Sequence, residues 1–203
     1  PIFDRVDWAA GNPVALVITG GGRRVAEARE GRRAAAARLH IEYAPPAGVR
    51  FAVITDYGTG SPAEAVIAAL VASQQVDFIV TAGDNIQHEG SYDDLVGAYY
   101  ASYIGAYDGA HGPGSAVNRF FPTLGNHDYW NGNDGADYYR FFALPGDGFA
   151  STSGTERYYD FTWGPVQFFV LDAYDETAVQ RSWLEQGLAA SVTPWQIVVG
   201  HYP

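Results

Sequence analysis

The stretch Phe78-Ile79-Val80-Thr81-Ala82-Gly83-Asp84-Asn85 decides the reading of this chain. Four apolar or β-branched residues make a short buried strand, and Gly83 then allows a turn sharp enough to leave Asp84 facing outward. A carboxylate at a strand end is placed to hold something. Three further strand-like runs end on metal-ligand residue types: Asp56, the pair Asn126 and His127, and His201. Oxygen and imidazole donors delivered by four strand ends are the layout of a two-metal site.

Working outward, the pattern from Val49 alternates strand with helix, which predicts parallel strands covered by helices. Phe51 to Thr55 is the first strand. Ser61-Pro62-Ala63-Glu64 opens the first helix, with a serine N-cap, proline at the first helical position and a glutamate placed to complete a capping box. Ser91 to Ile104 reads as a second helix, Ala106 to Asn118 as a glycine-rich loop, and Phe120 to Leu124 as the approach to Gly125-Asn126-His127-Asp128. A short aromatic helix over Asp137 to Ala143 follows. Arg157 to Trp163 and Val166 to Leu171, joined at Gly164-Pro165, form a hairpin, and a helix from Thr177 to Ala190 leads into the strand Trp195 to Val199. Ligands gather at the carboxyl ends of strands in open α/β sheets, where all four motifs fall.

Composition bounds the alternatives. A chain of 203 residues with 47% hydrophobic content supports one α/β domain and a small remainder. Methionine is absent and the first residue is proline, so the expectation is a fragment or a processed piece. Cysteine is also absent, which excludes disulfides and thiolate ligands. No apolar run approaches the roughly 18 residues of a membrane span. The formal net charge of −11 is uneven: residues 1–45 carry +2 and the remainder −13. So acidic a surface repels a nucleic-acid backbone, and no nucleic-acid scaffold is expected.

That asymmetry coincides with a linker at Ala44-Pro45-Pro46-Ala47-Gly48. Residues 1–45 offer strand patterns at Val14 to Thr19 and Ala37 to Tyr43, too few to bury a core alone. They read as the end of an upstream β-rich domain or as an N-terminal hairpin. Residues 46–203 are the second domain.

Thr55-Asp56-Tyr57-Gly58, Gly83-Asp84-Asn85, Gly125-Asn126-His127-Asp128 and Gly200-His201-Tyr202-Pro203, in that order, resemble the first four motifs of the calcineurin-like metallophosphoesterases. The glycine two places after Asp56 and the Gly-His-Tyr-Pro ending resemble the purple acid phosphatase branch, especially its small tartrate-resistant type. The resemblance implies a four-layer αββα sandwich and two metal ions, Fe, Mn or Zn. It implies a phosphate ester as substrate, attacked by a metal-bound hydroxide, and a secreted or periplasmic location. Residue by residue, Asp84 matches the carboxylate that bridges the metals, Asp56 a ligand of the first, and Asn126 and His201 ligands of the second. His127 matches the group that protonates the leaving oxygen, with Asp128 orienting its ring. A phosphomonoesterase is the first expectation; a phosphodiesterase or nucleotide hydrolase and a non-catalytic phosphate-binding relative are the alternatives.

The chain departs from that branch in two places. Where the purple enzymes have an iron-binding tyrosine stands Gln87, a neutral and weaker ligand, with His88 beside it as a conceivable substitute. No Gly-His-x-His motif follows His201, so the domain lacks its last motif and an incomplete site is expected. The clusters Tyr99-Tyr100, Tyr138 to Phe142 and Tyr158-Tyr159 fit core packing better than base stacking. Tyr57 and Tyr129 adjoin metal motifs and are expected to line the substrate mouth.

Overall fold

Phe51–Ile54 (β1) pairs in parallel with Phe78–Thr81 (β2), Phe51 opposite Phe78, and β2 pairs in parallel with the two-residue strand Phe120–Phe121 (β3). This arrangement belongs to a computed structural model that describes residues 48–130 and 134–202. The strand patterns expected within residues 1–45 lie outside the described residues. A second sheet holds the hairpin Tyr159–Trp163 (β4) and Val166–Val170 (β5), with Trp195–Val199 (β6) running parallel to β5.

The two sheets face each other through an aromatic core. Phe78, Val80 and Phe121 on one side meet Phe161, Phe168, Val170 and Val199 on the other. Phe121 stacks on Phe161, and Phe168 meets Phe78 edge to face with ring centroids 5.4 Å apart. Because side chains alternate along a strand, Ile79 points the opposite way, into a second core with Tyr100, Tyr138 and Phe142. That outer core receives the helical segments between β1 and β4. Ala178–Ala190 (α4) covers the far face of the other sheet, where Trp183 meets Phe169. Helix, sheet, sheet, helix is the expected αββα order. The tyrosine clusters serve packing, with Tyr100, Tyr138 and Tyr159 all within 1% of full burial.

Local chemistry explains most element ends. Pro62–Ser73 (α1) starts at Ser61, whose hydroxyl accepts from the Glu64 amide. The other half of the expected capping box is replaced: Glu64 Oε2 reaches past the cap to the amides of Thr59 and Gly60, at 2.7 and 2.8 Å. The segment read as one helix from Ser91 to Ile104 is irregular. It passes from a π-turn at Asp93–Gly97 through Ala98–Tyr100 (α2) to a 3₁₀ turn at Ala101–Tyr103. Glycine at 97, against Asp93 Oδ1 and the Tyr107 ring, lets the chain widen there. Ala136–Phe141 (α3) is the short aromatic helix.

Candidate metal centre

Each sheet delivers its chemistry at carboxyl ends. Asp56 follows β1, Asp84 follows β2, Asn126 follows β3 and His201 follows β6. Both aspartates occupy the left-handed region, with φ of 53° at Asp56 and 51° at Asp84. Such backbone costs an L-residue about 1–2 kcal/mol, and Asp tolerates it better than most. The Asp56 amide donates to the Gly83 carbonyl at 3.2 Å, which locks the two turns together.

One carboxylate oxygen each from Asp56 and Asp84 and a ring nitrogen of His201 lie within 4.8 Å of one another. His201 Nδ1 donates to the Ala82 carbonyl at 2.7 Å, which turns Nε2 toward the centre, 3.4 Å from Asp84 Oδ1. The ring also explains Gly83: a Cβ there would come 2.6 Å from His201 Nδ1. His201 Nε2 is 3.2 Å from Asn126 Oδ1, and the Tyr202 hydroxyl donates to that same amide oxygen. His127 meets the other oxygen of the same carboxylate, its Nε2 3.6 Å from Asp84 Oδ2. Asp84 is only 3% exposed and meets no Lys or Arg among the contacts of the described residues. A buried carboxylate surrounded by oxygen and imidazole donors fits a hard or borderline cation such as Mn, Fe or Zn.

The other expected site residues are placed as follows. Asp128 does not orient the His127 ring, whose Nδ1 instead donates to the Gln87 carbonyl at 3.2 Å. The Asp128 carboxylate turns inward and accepts from Gly125 N, Asn85 Nδ2 and the Tyr92 hydroxyl, at 2.7, 3.0 and 2.5 Å. Burial pushes its pKa up to about 6 against the pull of those donors. Gln87 spends its amide nitrogen on the Asp84 carbonyl, 3.2 Å away. His88 is no substitute ligand, because its ring nitrogens face the carbonyls of Glu89 and Thr59, each at 2.9 Å. Two carbonyl partners require two N–H donors, and these bonds raise its pKa. Tyr57 is 7% exposed with its hydroxyl on Asn85 Oδ1, so it lines the core rather than a mouth. Tyr129 is half-buried and donates to Asp172 at 2.6 Å.

Two participants carried no role in the sequence reading. Asn85 is fully buried and bridges to Thr123 and Asp128. Trp130, 62% exposed, stacks on His127. The first was legible only as the residue after Asp84, and the second as an aromatic three places beyond His127.

Two facing sheets with acidic, amide and imidazole donors at their carboxyl ends define an α/β metalloprotein. The family model of the calcineurin-like phosphoesterases matches residues 49–203, and the chain belongs to that family. Its members hydrolyse phosphoesters with metal ions. Comparison with curated proteins found no match. Among the described residues no helix is long and apolar enough to cross a membrane.

Proposed function

We propose that the chain hydrolyses phosphate monoesters at a dinuclear metal centre in which Asp84 is shared, Asp56 holds the first ion, and Asn126 and His201 hold the second. The observation that carries this reading is the meeting of Asp56, Asp84 and His201 within 4.8 Å, with His127 Nε2 3.6 Å from the same Asp84. Bound divalent cations supply Lewis-acid stabilisation of the phosphoryl oxygens and make water nucleophilic near neutral pH.

The remaining chemistry belongs to side chains. As the water oxygen, one proton given up to solvent, bonds to phosphorus and the ester P–O bond breaks, the leaving oxygen takes a proton from His127. The Gln87 carbonyl fixes the imidazole so that Nε2 faces the reacting side. Monoester preference follows the resemblance of Asp56-Tyr57-Gly58 and Gly200-His201-Tyr202-Pro203 to the acid phosphatase branch.

The test compares p-nitrophenyl phosphate with bis-(p-nitrophenyl) phosphate, with and without added Mn²⁺, Zn²⁺ or Fe²⁺. Metal-dependent turnover of the monoester at tenfold or more the diester rate is the expected result. A reversed ratio assigns a phosphodiesterase. Phosphate binding without turnover of either assigns a non-catalytic relative.

A further inference from the structure

We propose that Trp130 forms the leaving-group subsite of this centre and selects phosphate monoesters whose alcohol carries a neutral ring. The inference rests on the reading of His127 as proton donor. If His127 gives its proton to the leaving oxygen, that oxygen lies within hydrogen-bond reach of the imidazole, and the rest of the alcohol lies beyond it, away from the metal ligands. A cavity of about 300 Å³ adjoins His127, lined by Ile86, His88, Glu89, His127 and Trp130 and by none of the proposed metal ligands.

Its walls define what it takes. The indole of Trp130 stacks on the His127 imidazole with planes inclined by 30°, yet the residue remains 62% exposed. A large apolar surface held beside the acid and left open to solvent is suited to cover by a planar group. His88 adds no free donor, since both of its ring nitrogens are bonded to backbone carbonyls. Glu89 makes the lining acidic, which disfavours leaving groups that carry further phosphates. The volume suits one ring with a short linker; a 150 Å³ cavity is enough for benzene. Neutral single-ring alcohols are therefore favoured over nucleoside polyphosphates and over short aliphatic alcohols.

The experiment uses benzyl phosphate and ethyl phosphate, whose alkoxide leaving groups are close in basicity, so a rate difference reports binding of the ring. With the Mn²⁺-loaded chain, kcat/KM should favour benzyl phosphate by roughly tenfold, chiefly through KM. Trp130→Ala should collapse that preference and Trp130→Phe should keep it. Affinities for benzylphosphonate and ethylphosphonate, measured by calorimetry, give a readout independent of turnover and of any variant. Equal affinity of the wild-type chain for the two phosphonates overturns the proposal, as does a benzyl preference that survives Trp130→Ala. If neither ester is hydrolysed while the phosphonates are still distinguished through Trp130, the hydrolase reading fails and the subsite stands.

Discussion

The side-chain amide of Asn85 donates to Asp128 Oδ2 at 3.0 Å, joining two loops that are 43 residues apart in sequence directly behind Asp84 and Asn126. Every polar atom of the pair is occupied. Asn85 also donates to the Thr123 carbonyl and accepts from the hydroxyls of Tyr57 and Thr81, while Asp128 takes the Gly125 amide and the Tyr92 hydroxyl. A fully satisfied buried network of this kind rigidifies what rests on it. Here it supports the backbone that presents the proposed ligands, so the candidate centre is preorganised by protein contacts.

Asp128 makes this network pH-sensitive. Its carboxyl is raised from the ordinary 3.8 to about 6, chiefly by burial, so folding favours the protonated form. The contribution is complete below pH 3.8 and is lost as pH rises through about 6. At about 1.4 kcal/mol per unit, the loss is roughly 3 kcal/mol. Asp128→Asn cannot titrate. In urea unfolding of the metal-free protein, the stability of the variant relative to wild type should therefore improve between pH 4 and pH 7. A pH-independent difference would show that the hydrogen-bond donors offset burial at this group.

Asp84 makes two separable contributions, charge and a left-handed turn. Asp84→Asn keeps a residue type that tolerates φ near 51° and removes the charge, so it should empty both of the proposed metal positions with a small effect on folding. Asp84→Ala should lose the metals and a further ~1 kcal/mol or more of stability. Metal analysis and denaturation on both variants check this. Two metals retained in either variant would remove Asp84 from the bridging role.

Gly125 is required by close approach. A Cβ at that position would overlap the backbone nitrogen and Oδ1 of Asp84, whereas one on Gly48 would meet nothing within 4 Å. Gly125→Ala should cost about 1–3 kcal/mol and weaken metal binding by displacing Asp84. Gly48→Ala serves as the matched control and should be near neutral. Metal titrations of the two side by side give the answer.

Phe78 sits at the centre of the intersheet core, fully buried, with the rings of Phe51, Phe121, Phe161, Trp163 and Phe168 around it. Phe78→Ala should cost about 3–5 kcal/mol, since so many rigid rings cannot collapse into the space. Thermal unfolding should show a correspondingly large drop in midpoint. A loss under 1 kcal/mol would mean that the two sheets are held together elsewhere.

Most strands, their succession along the chain and the residues that follow them were legible in the sequence, because those signals are local. Runs such as Phe78 to Thr81 declare a buried strand by composition, Gly83 and Gly125 declare tight turns, and Ser61-Pro62 declares a helix start. The αββα layering came with the family resemblance that the four motifs carry. The rest depends on atoms brought together from distant segments. Asp128 lies beside His127 in the chain yet faces the other way, because Gly125, Asn85 and Tyr92 converge on it with donors that a buried carboxylate cannot forgo. Tyr57 adjoins Asp56 yet is buried, since the turn that exposes one carboxylate directs the next side chain at Asn85. The two ring nitrogens of His88 were assigned by carbonyls 1 and 29 residues away. Periodicity places a side chain on a face, but its hydrogen-bond partner is set by the fold.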